Sequence, residues 1–399
     1  KNYKYTVFKF FKMTTKLVLM VIAVMAMLLV SSITAAKLTD VQAQGLFVEF
    51  ARRYNKSYEL ADFFKRFEVF RDNVQWIIDF NEKKDRTHEV GVNFFADMTP
   101  EEWRHYKGLK TPEGFKEPDF AALDKRADKD DTELLAMRRE RNYGQEAGYS
   151  WKTNAPDAFD WTEQNAMMPV RNQQSCGSCY SFSSMAVVEA LRAITFPDDP
   201  KEYLSTQQGI DCTRAYGCYG CQGGWMTSVF EYLVDAGGAC RDADYPYKNR
   251  VTTCQAKNCS KAFKFDKYRD ISGSKPDVIM EHLTVNPHSI AVTSGTREFM
   301  YYKSGVITNC GGSRDQQIDH AVVAVGFNQK ETQDAAGNTL PPYIKIRNSW
   351  GGNWGEDGHV RVALDNNTCK YRTNVSYPLI AAPSTSAAPT TPAHPTTHA

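Results

Sequence analysis

Cys179 closes the stretch Pro169, Val170, Arg171, Asn172, Gln173, Gln174, Ser175, Cys176, Gly177, Ser178, Cys179, and a run of helical composition, Tyr180 to Thr195, follows at once. A sulfur at the start of a helix faces the positive end of the backbone dipole, which favours an anion and lowers the thiol pKa. Such a thiolate is a nucleophile, and it needs a partner to take and return a proton. Ile318, Asp319 and His320 precede Ala321, Val322, Val323, Ala324, Val325 and Gly326, which read as a buried strand. His320 lies so far downstream that it can meet Cys179 only across the fold, as a thiolate–imidazolium pair requires. A third segment, Asn348, Ser349, Trp350, Gly351, Gly352, Asn353, Trp354, Gly355 and Glu356, comes just after the alternating strand Tyr343 to Arg347. An asparagine carbonyl there can accept the second ring N–H of His320 and fix its orientation. Trp350 can cover that bond, and the glycines let the loop pass close to its neighbours. Each segment also has a structural reading: Cys176 and Cys179 as disulfide partners or a redox pair, His320 as a core histidine, the third segment as a Gly/Trp turn.

These groups need a scaffold that brings distant segments together. From about Ala155 to Ile380 the first half carries the helical stretch 180–195 and then cysteine- and glycine-rich loops. The second half holds short strand-like runs, Ser289 to Thr293, Ala321 to Phe327, Tyr343 to Arg347 and His359 to Ala363, bounded by turn residues. The pattern predicts an α+β body of two lobes, one helical and one β, with a ligand cleft between them. Upstream, Gln44 to Phe80 is periodic as a helix, with Arg66, Phe70, Asn73, Ile77 and Asn81 on one face. Gly91, Asn93, Phe95 and Asp97 alternate and read as a short strand. Residues 110–154 are charged and poorly periodic, which is linker chemistry open to proteolysis.

The 399 residues, 42% hydrophobic and 12% aromatic, suffice for two folded units. A formal charge of +1 with mixed signs gives no nucleic-acid footprint and no basic membrane face. Leu17 to Val30, behind Lys16, is short for a membrane span and ends in Ser31, Ser32, Ile33, Thr34, Ala35 and Ala36, so it reads as a signal peptide starting at Met13 and cleaved after Ala36. Residues 1–12 are then expected to precede the translated start. A secreted chain meets an oxidising compartment, where its ten cysteines can form bridges. The Pro/Thr/Ser-rich end, 381–399, cannot build a core and is followed by no apolar run, so no stable membrane anchor is expected. Sequons begin at Asn55, Asn258, Asn366 and Asn374.

Together, the cysteine and Asn/Ser/Trp/Gly segments resemble those of the papain-like cysteine peptidases, over nearly all of 155–380 and in the family's order. The resemblance implies Cys179 as nucleophile, His320 as general acid/base, Asn348 as the orienting residue, and Gln173 as an oxyanion donor beside the Cys179 N–H. The upstream series, with Asp62 where that family usually has Glu, resembles the inhibitory prodomain of the cathepsin L-like branch, and Gly91, Asn93, Phe95 and Asp97 match its second motif. It implies a prodomain that lies over the cleft, runs through it backwards relative to substrate and is removed on acidification. The expected organisation is a signal peptide over 13–36, a mostly helical prodomain over 37–110, a linker with the activation cleavage over 111–154, the peptidase domain over 155–380 and the tail.

By the same resemblance Cys176 pairs with Cys221, Cys212 with Cys254, and Cys310 with Cys369, while a Cys240–Cys259 bridge resembles one in dipeptidyl peptidase I. Cys218 is left over; a metal site from Cys212, Cys218 and Cys221 is the alternative, disfavoured in an oxidising compartment. The implied substrate-binding residues are Gly223, Gly224, Trp225, Met226, Ala291, Ile318, Asp319, Trp350 and, at the pocket floor, Asn374, suiting a hydrophobic or aromatic side chain. No cofactor or metal is implied. Protein or peptide substrates, the chain's own prodomain and cystatin-like inhibitors are the implied partners, and a monomer is expected in a lysosome-like vesicle or outside the cell. Tyr180, where most of the family has Trp, is shared with dipeptidyl peptidase I, yet no exclusion domain is recognisable, so endopeptidase activity is the favoured expectation. The alternatives are a dipeptidyl exopeptidase and a silent binding protein on the same fold.

Overall fold

The computed structural model describes residues 37–120, 155–310, 317–334 and 337–380. The signal-peptide run, the activation linker beyond 120 and the tail lie outside the described residues. The chain forms two compact units that divide between Pro100 and Glu101.

In the first unit, helix α1 (Asp40–Arg53) opens with a capping box between Thr39 and Gln42. It stops where Asn55 takes a left-handed φ of 50°, a conformation Asn tolerates just past a helix end. The single helical period expected from Gln44 to Phe80 is therefore two helices, the second being α2 (Leu60–Asn81). The face read from the spacing buries Phe70, Asn73 and Ile77. Its polar members hold the chain that returns beneath it. Arg66 donates to the Asp97 carbonyl at 2.9 Å, Asn73 to those of Ala96 and Met98 at 3.0 and 3.2 Å, and Asn81 to that of Val90 at 2.7 Å. The strand expected over 91–97 is absent: β1 is His88–Val90, and the alternating residues after it form a turn. Asn93 explains the change, since its side-chain oxygen accepts the Phe95 N–H at 3.0 Å and its carbonyl the Ala96 N–H. A local side-chain bond of this kind outcompetes a ladder.

The second unit opens with a 3₁₀ turn, Glu102–Tyr106; its first strand is β2 (Ala158–Asp160), followed by its central helix, α3 (Cys179–Thr195). Every residue of α3 from Cys179 to Leu191 is buried, the mark of a core helix rather than an amphipathic surface one. Around it come α4 (Thr206–Cys212), α5 (Met226–Asp235) and the small ladder β3 (Ala239–Cys240) with β4 (Lys261–Phe263). The sheet half follows: β5 (Lys267–Asp270), α6 (Pro276–Leu283), β6 (His288–Val292), α7 (Arg297–Met300), β7 (Tyr302–Ile307), β8 (His320–Asn328), β9 (Thr332–Gln333), β10 (Thr339–Leu340), β11 (Tyr343–Arg347), β12 (His359–Ala363) and β13 (Val375–Leu379). Its strands run β7–β12–β11–β8–β6–β13–β5, with β2 also on β8. Ser183 of α3 bonds the Val322 carbonyl and the Ser289 hydroxyl, at 2.7 and 2.6 Å, tying the helical half to the sheet.

Candidate active site

The local sequence sets Cys179 at the first residue of α3, after Ser178 as N-cap. The opposite half supplies the histidine, because β8 begins at His320 and the N–H of Ala321 donates to the Cys179 sulfur at 3.3 Å. Asn348 arrives by strand register: β11 is antiparallel to β8, with Arg347 opposite Val323, so the residue after β11 falls beside the start of β8. His320 Nε2 lies 2.8 Å from Asn348 Oδ1. The Ser349 N–H donates to that same Oδ1 at 2.7 Å, which fixes the amide with its oxygen toward the ring. An amide oxygen only accepts, so Nε2 carries the proton and Nδ1, which bonds no group among the described residues, keeps a lone pair for the thiol proton. Trp350 stacks on the imidazole, centroids 4.8 Å apart at 20°, and shields the hydrogen bond.

Gln173 is fully buried. Its Oε1 accepts the Ser349 hydroxyl at 2.6 Å and one Nε2–H goes to the Cys176 carbonyl at 3.1 Å. An amide NH₂ carries two donors, so one remains for a developing oxyanion. Ser349 stood in the Asn/Ser/Trp/Gly segment without a role of its own; this contact, invisible in the sequence, supplies one.

Disulfides join Cys176 to Cys221, Cys212 to Cys254, Cys240 to Cys259 and Cys310 to Cys369, leaving Cys179 and Cys218 as thiols. Trp225, Met226, Ala291 and Ile318 share one buried apolar cluster with Cys179. Asn374 is buried and joins Ala291 through its backbone carbonyl at 3.1 Å, its Oδ1 having no partner among the described residues. Burial also rules out the sequon at Asn374 as a glycan site in the folded chain.

Residues 106–110, the end of the expected prodomain, lie across these groups. The Tyr106 carbonyl accepts the Trp350 indole N–H at 2.8 Å. Lys107 pairs with Asp319 at 2.6 Å. Gly108 packs so closely on Gly177 that a Cβ there would stand 2.1 Å from the Gly177 carbonyl oxygen. Leu109 donates to the Asp319 carbonyl at 3.3 Å and forms a parallel bridge with Gly224, whose N–H and C=O bond Gly108 and Lys110 at 3.0 Å each. Phe115 tilts against Trp225 at 5.2 Å.

In this covered state the thiol pKa moves opposite to the expectation drawn from the helix dipole. Burial pushes Cys179 from 9.0 up to about 12, opposed by the Ala321 N–H and reinforced by Asp319. Burial likewise takes His320 from 6.5 down to about 4, against the pull of its bond to Asn348. Desolvation disfavours both charged forms, so thiol and imidazole sit side by side neutral. The signs then differ. His320 stabilises the covered form fully above pH 6.5 and loses that contribution as the pH falls toward 4, so acid loosens the cover. Cys179 contributes below pH 9.0 and loses its share as the pH climbs toward 12. Iodoacetamide should therefore alkylate Cys179 slowly in the intact precursor between about pH 5 and 8, and much faster once 106–110 is removed. Equal rates before and after removal would contradict this account.

Fold, buried thiol and covering segment together define a cysteine protease with its propeptide attached. Residues 155–379 match the papain family cysteine protease domain and residues 47–103 the cathepsin propeptide inhibitor domain. The chain is 34% identical to the cysteine protease XCP2 of Arabidopsis thaliana, over 82% of this chain and 81% of that protein. It is 31% identical to cysteine proteinase 3 of Dictyostelium discoideum, over 85% and 91%. Among solved structures it resembles a recombinant stem bromelain precursor (28% identity, 85% of this chain and 99% of that one, TM-score 0.66). It also resembles the digestive procathepsin L2 proteinase of Tenebrio molitor larval midgut (27%, 85% and 100%, 0.68). The chain belongs to the papain family of cysteine proteases.

Proposed function

We propose that the chain is the zymogen of an endopeptidase, carried through the secretory pathway to an acidic vesicle or out of the cell. Cys179 gives its proton to His320 and attacks the substrate carbonyl, while Gln173 and the Cys179 N–H receive the oxyanion. The imidazolium then protonates the leaving amine. Water, deprotonated by His320, hydrolyses the thioester and regenerates the thiol. The observation carrying this reading is a buried, unbridged sulfur 3.3 Å from the N–H that follows a histidine held by Asn348. An apolar pocket from Trp225, Met226, Ala291 and Ile318, floored by Asn374, fits a hydrophobic side chain two residues before the scissile bond. Leu109 packs against that same cluster. Four disulfides among the described residues suit an oxidising route.

The Cys240–Cys259 bridge and Tyr180 favour, as a second reading, removal of dipeptides from a free N-terminus. Fluorogenic peptides with a hydrophobic penultimate residue decide between them. An endopeptidase cleaves N-terminally blocked and free peptides alike, whereas cleavage confined to free N-termini overturns the first reading.

Latency follows from residues 106–110. The parallel bridge to Gly224 supports a segment that runs backwards relative to substrate, as the family resemblance implies, and Gly108 brings no side chain into the tightest point. Gly108→Ala forces a methyl group against the Gly177 backbone, an overpacking of about 1–3 kcal/mol that should weaken the cover roughly 5- to 150-fold. The full-length variant is expected to turn over substrate at neutral pH without acid treatment. Wild-type latency in Gly108→Ala would reject the role given to this segment.

A further inference from the structure

Tyr247 reaches the loop that carries Gln173 from outside the residues already given roles. Its hydroxyl donates to the Gln173 carbonyl at 2.5 Å and lies 3.3 Å from the Ser178 hydroxyl. Its ring meets Phe182 of α3 edge-on, centroids 5.0 Å apart at 89°. Two neighbouring contacts steady the tyrosine's own segment: the Lys248 N–H donates to Gln207 at 2.8 Å, and the Asn249 amide to the Ser175 hydroxyl at 3.3 Å.

The loop needs such a brace. Gln174 takes a φ of 52°, the left-handed region that a residue with a Cβ adopts only at a cost of about 1–2 kcal/mol. Relaxing that strain would rotate the peptide joining Gln173 to Gln174, and with it the base of the Gln173 side chain. That peptide is gripped on both sides, its C=O by Tyr247 and its N–H by Asn172 Oδ1 at 2.8 Å. The far end of the Gln173 side chain is fixed by Ser349 and the Cys176 carbonyl. The Tyr247 hydroxyl stays a neutral donor over any working pH, because burial pushes its pKa up to about 12.

We infer that Tyr247 is a positioning residue of the oxyanion site: its hydroxyl, by holding the Gln173 carbonyl, aims the Gln173 amide at the developing oxyanion. It touches neither substrate nor the reacting atoms and acts through Gln173, so the inference rests on Gln173 being an oxyanion donor.

Tyr247→Phe, in the full chain processed to its mature form, keeps the ring and its packing on Phe182 and deletes only the hydroxyl. Losing one neutral hydrogen bond predicts a fall in kcat of about 3- to 10-fold with KM changed less than about 2-fold. A peptide aldehyde, which forms a hemithioacetal resembling the tetrahedral intermediate, should bind weaker by the same factor. In a Gln173→Ala background the same substitution should cost almost nothing further, because the group it positions is gone. An unchanged kcat, or an equal fall in both backgrounds, overturns the role of Tyr247 while leaving that of Gln173 intact. A Gln173→Ala variant with full activity overturns both.

Discussion

Cys179→Ala, freed of its propeptide by an added protease, is expected to lose about 10⁶-fold in turnover, and His320→Ala about as much. The two should not multiply, because neither group has a function alone: the thiol gives its proton to an imidazole, and the imidazole returns that proton to the leaving amine. The double variant is thus expected to be no slower than either single one. The structure supplies the reason for this coupling. Asn348 Oδ1 fixes the proton on His320 Nε2, so only Nδ1 can serve the sulfur. Rates measured with a fluorogenic peptide at matched folded-protein concentration decide the matter. A Cys179→Ala protein retaining more than about a thousandth of the activity would mean that another group performs the attack.

Gln173→Ala is the second large effect, a loss of about 10²- to 10³-fold, the usual consequence of removing one oxyanion donor. The loss should fall on kcat, since the amide bonds the intermediate more strongly than the ground-state carbonyl. Alkylation of Cys179 by iodoacetamide, which passes through no oxyanion, should keep close to its wild-type rate. Gln173 is fully buried, and its amide oxygen is fixed by the Ser349 hydroxyl, so the truncation removes a donor already held in place rather than a mobile one. A fall in the alkylation rate equal to the fall in turnover would mean that Gln173 supports the thiol itself, and its oxyanion role would be withdrawn.

How far the sequence revealed this architecture varied with the range of the interactions involved. The central helix and the strands Tyr343–Arg347 and His359–Ala363 were legible to the residue or nearly so, because apolar runs bounded by turn residues express burial directly. The segments containing Cys179, His320 and Asn348 were legible because each joins a reactive side chain to the start or end of an element. The alternation over 91–97 misled, since Asn93 offered the backbone a turn that periodicity does not record. In this form of the chain burial moves the Cys179 pKa the opposite way from the helix-dipole expectation. A helix dipole is a local property readable from sequence, whereas desolvation depends on everything packed around the sulfur, most of it distant in sequence. Tyr247 and the individual contacts of 106–110 join residues far apart in sequence, and no local pattern records which atoms meet.

The claim that the sulfur of Cys179 is the attacking atom is tested most directly by reacting the processed protein with an epoxysuccinyl thiol-peptidase inhibitor and mapping the adduct by peptide mass spectrometry. The account predicts one equivalent on Cys179, none on Cys218, and abolition of activity in proportion to labelling. An unlabelled Cys179, or a Cys179 peptide recovered in a disulfide while the protein still cleaves substrate, would contradict it.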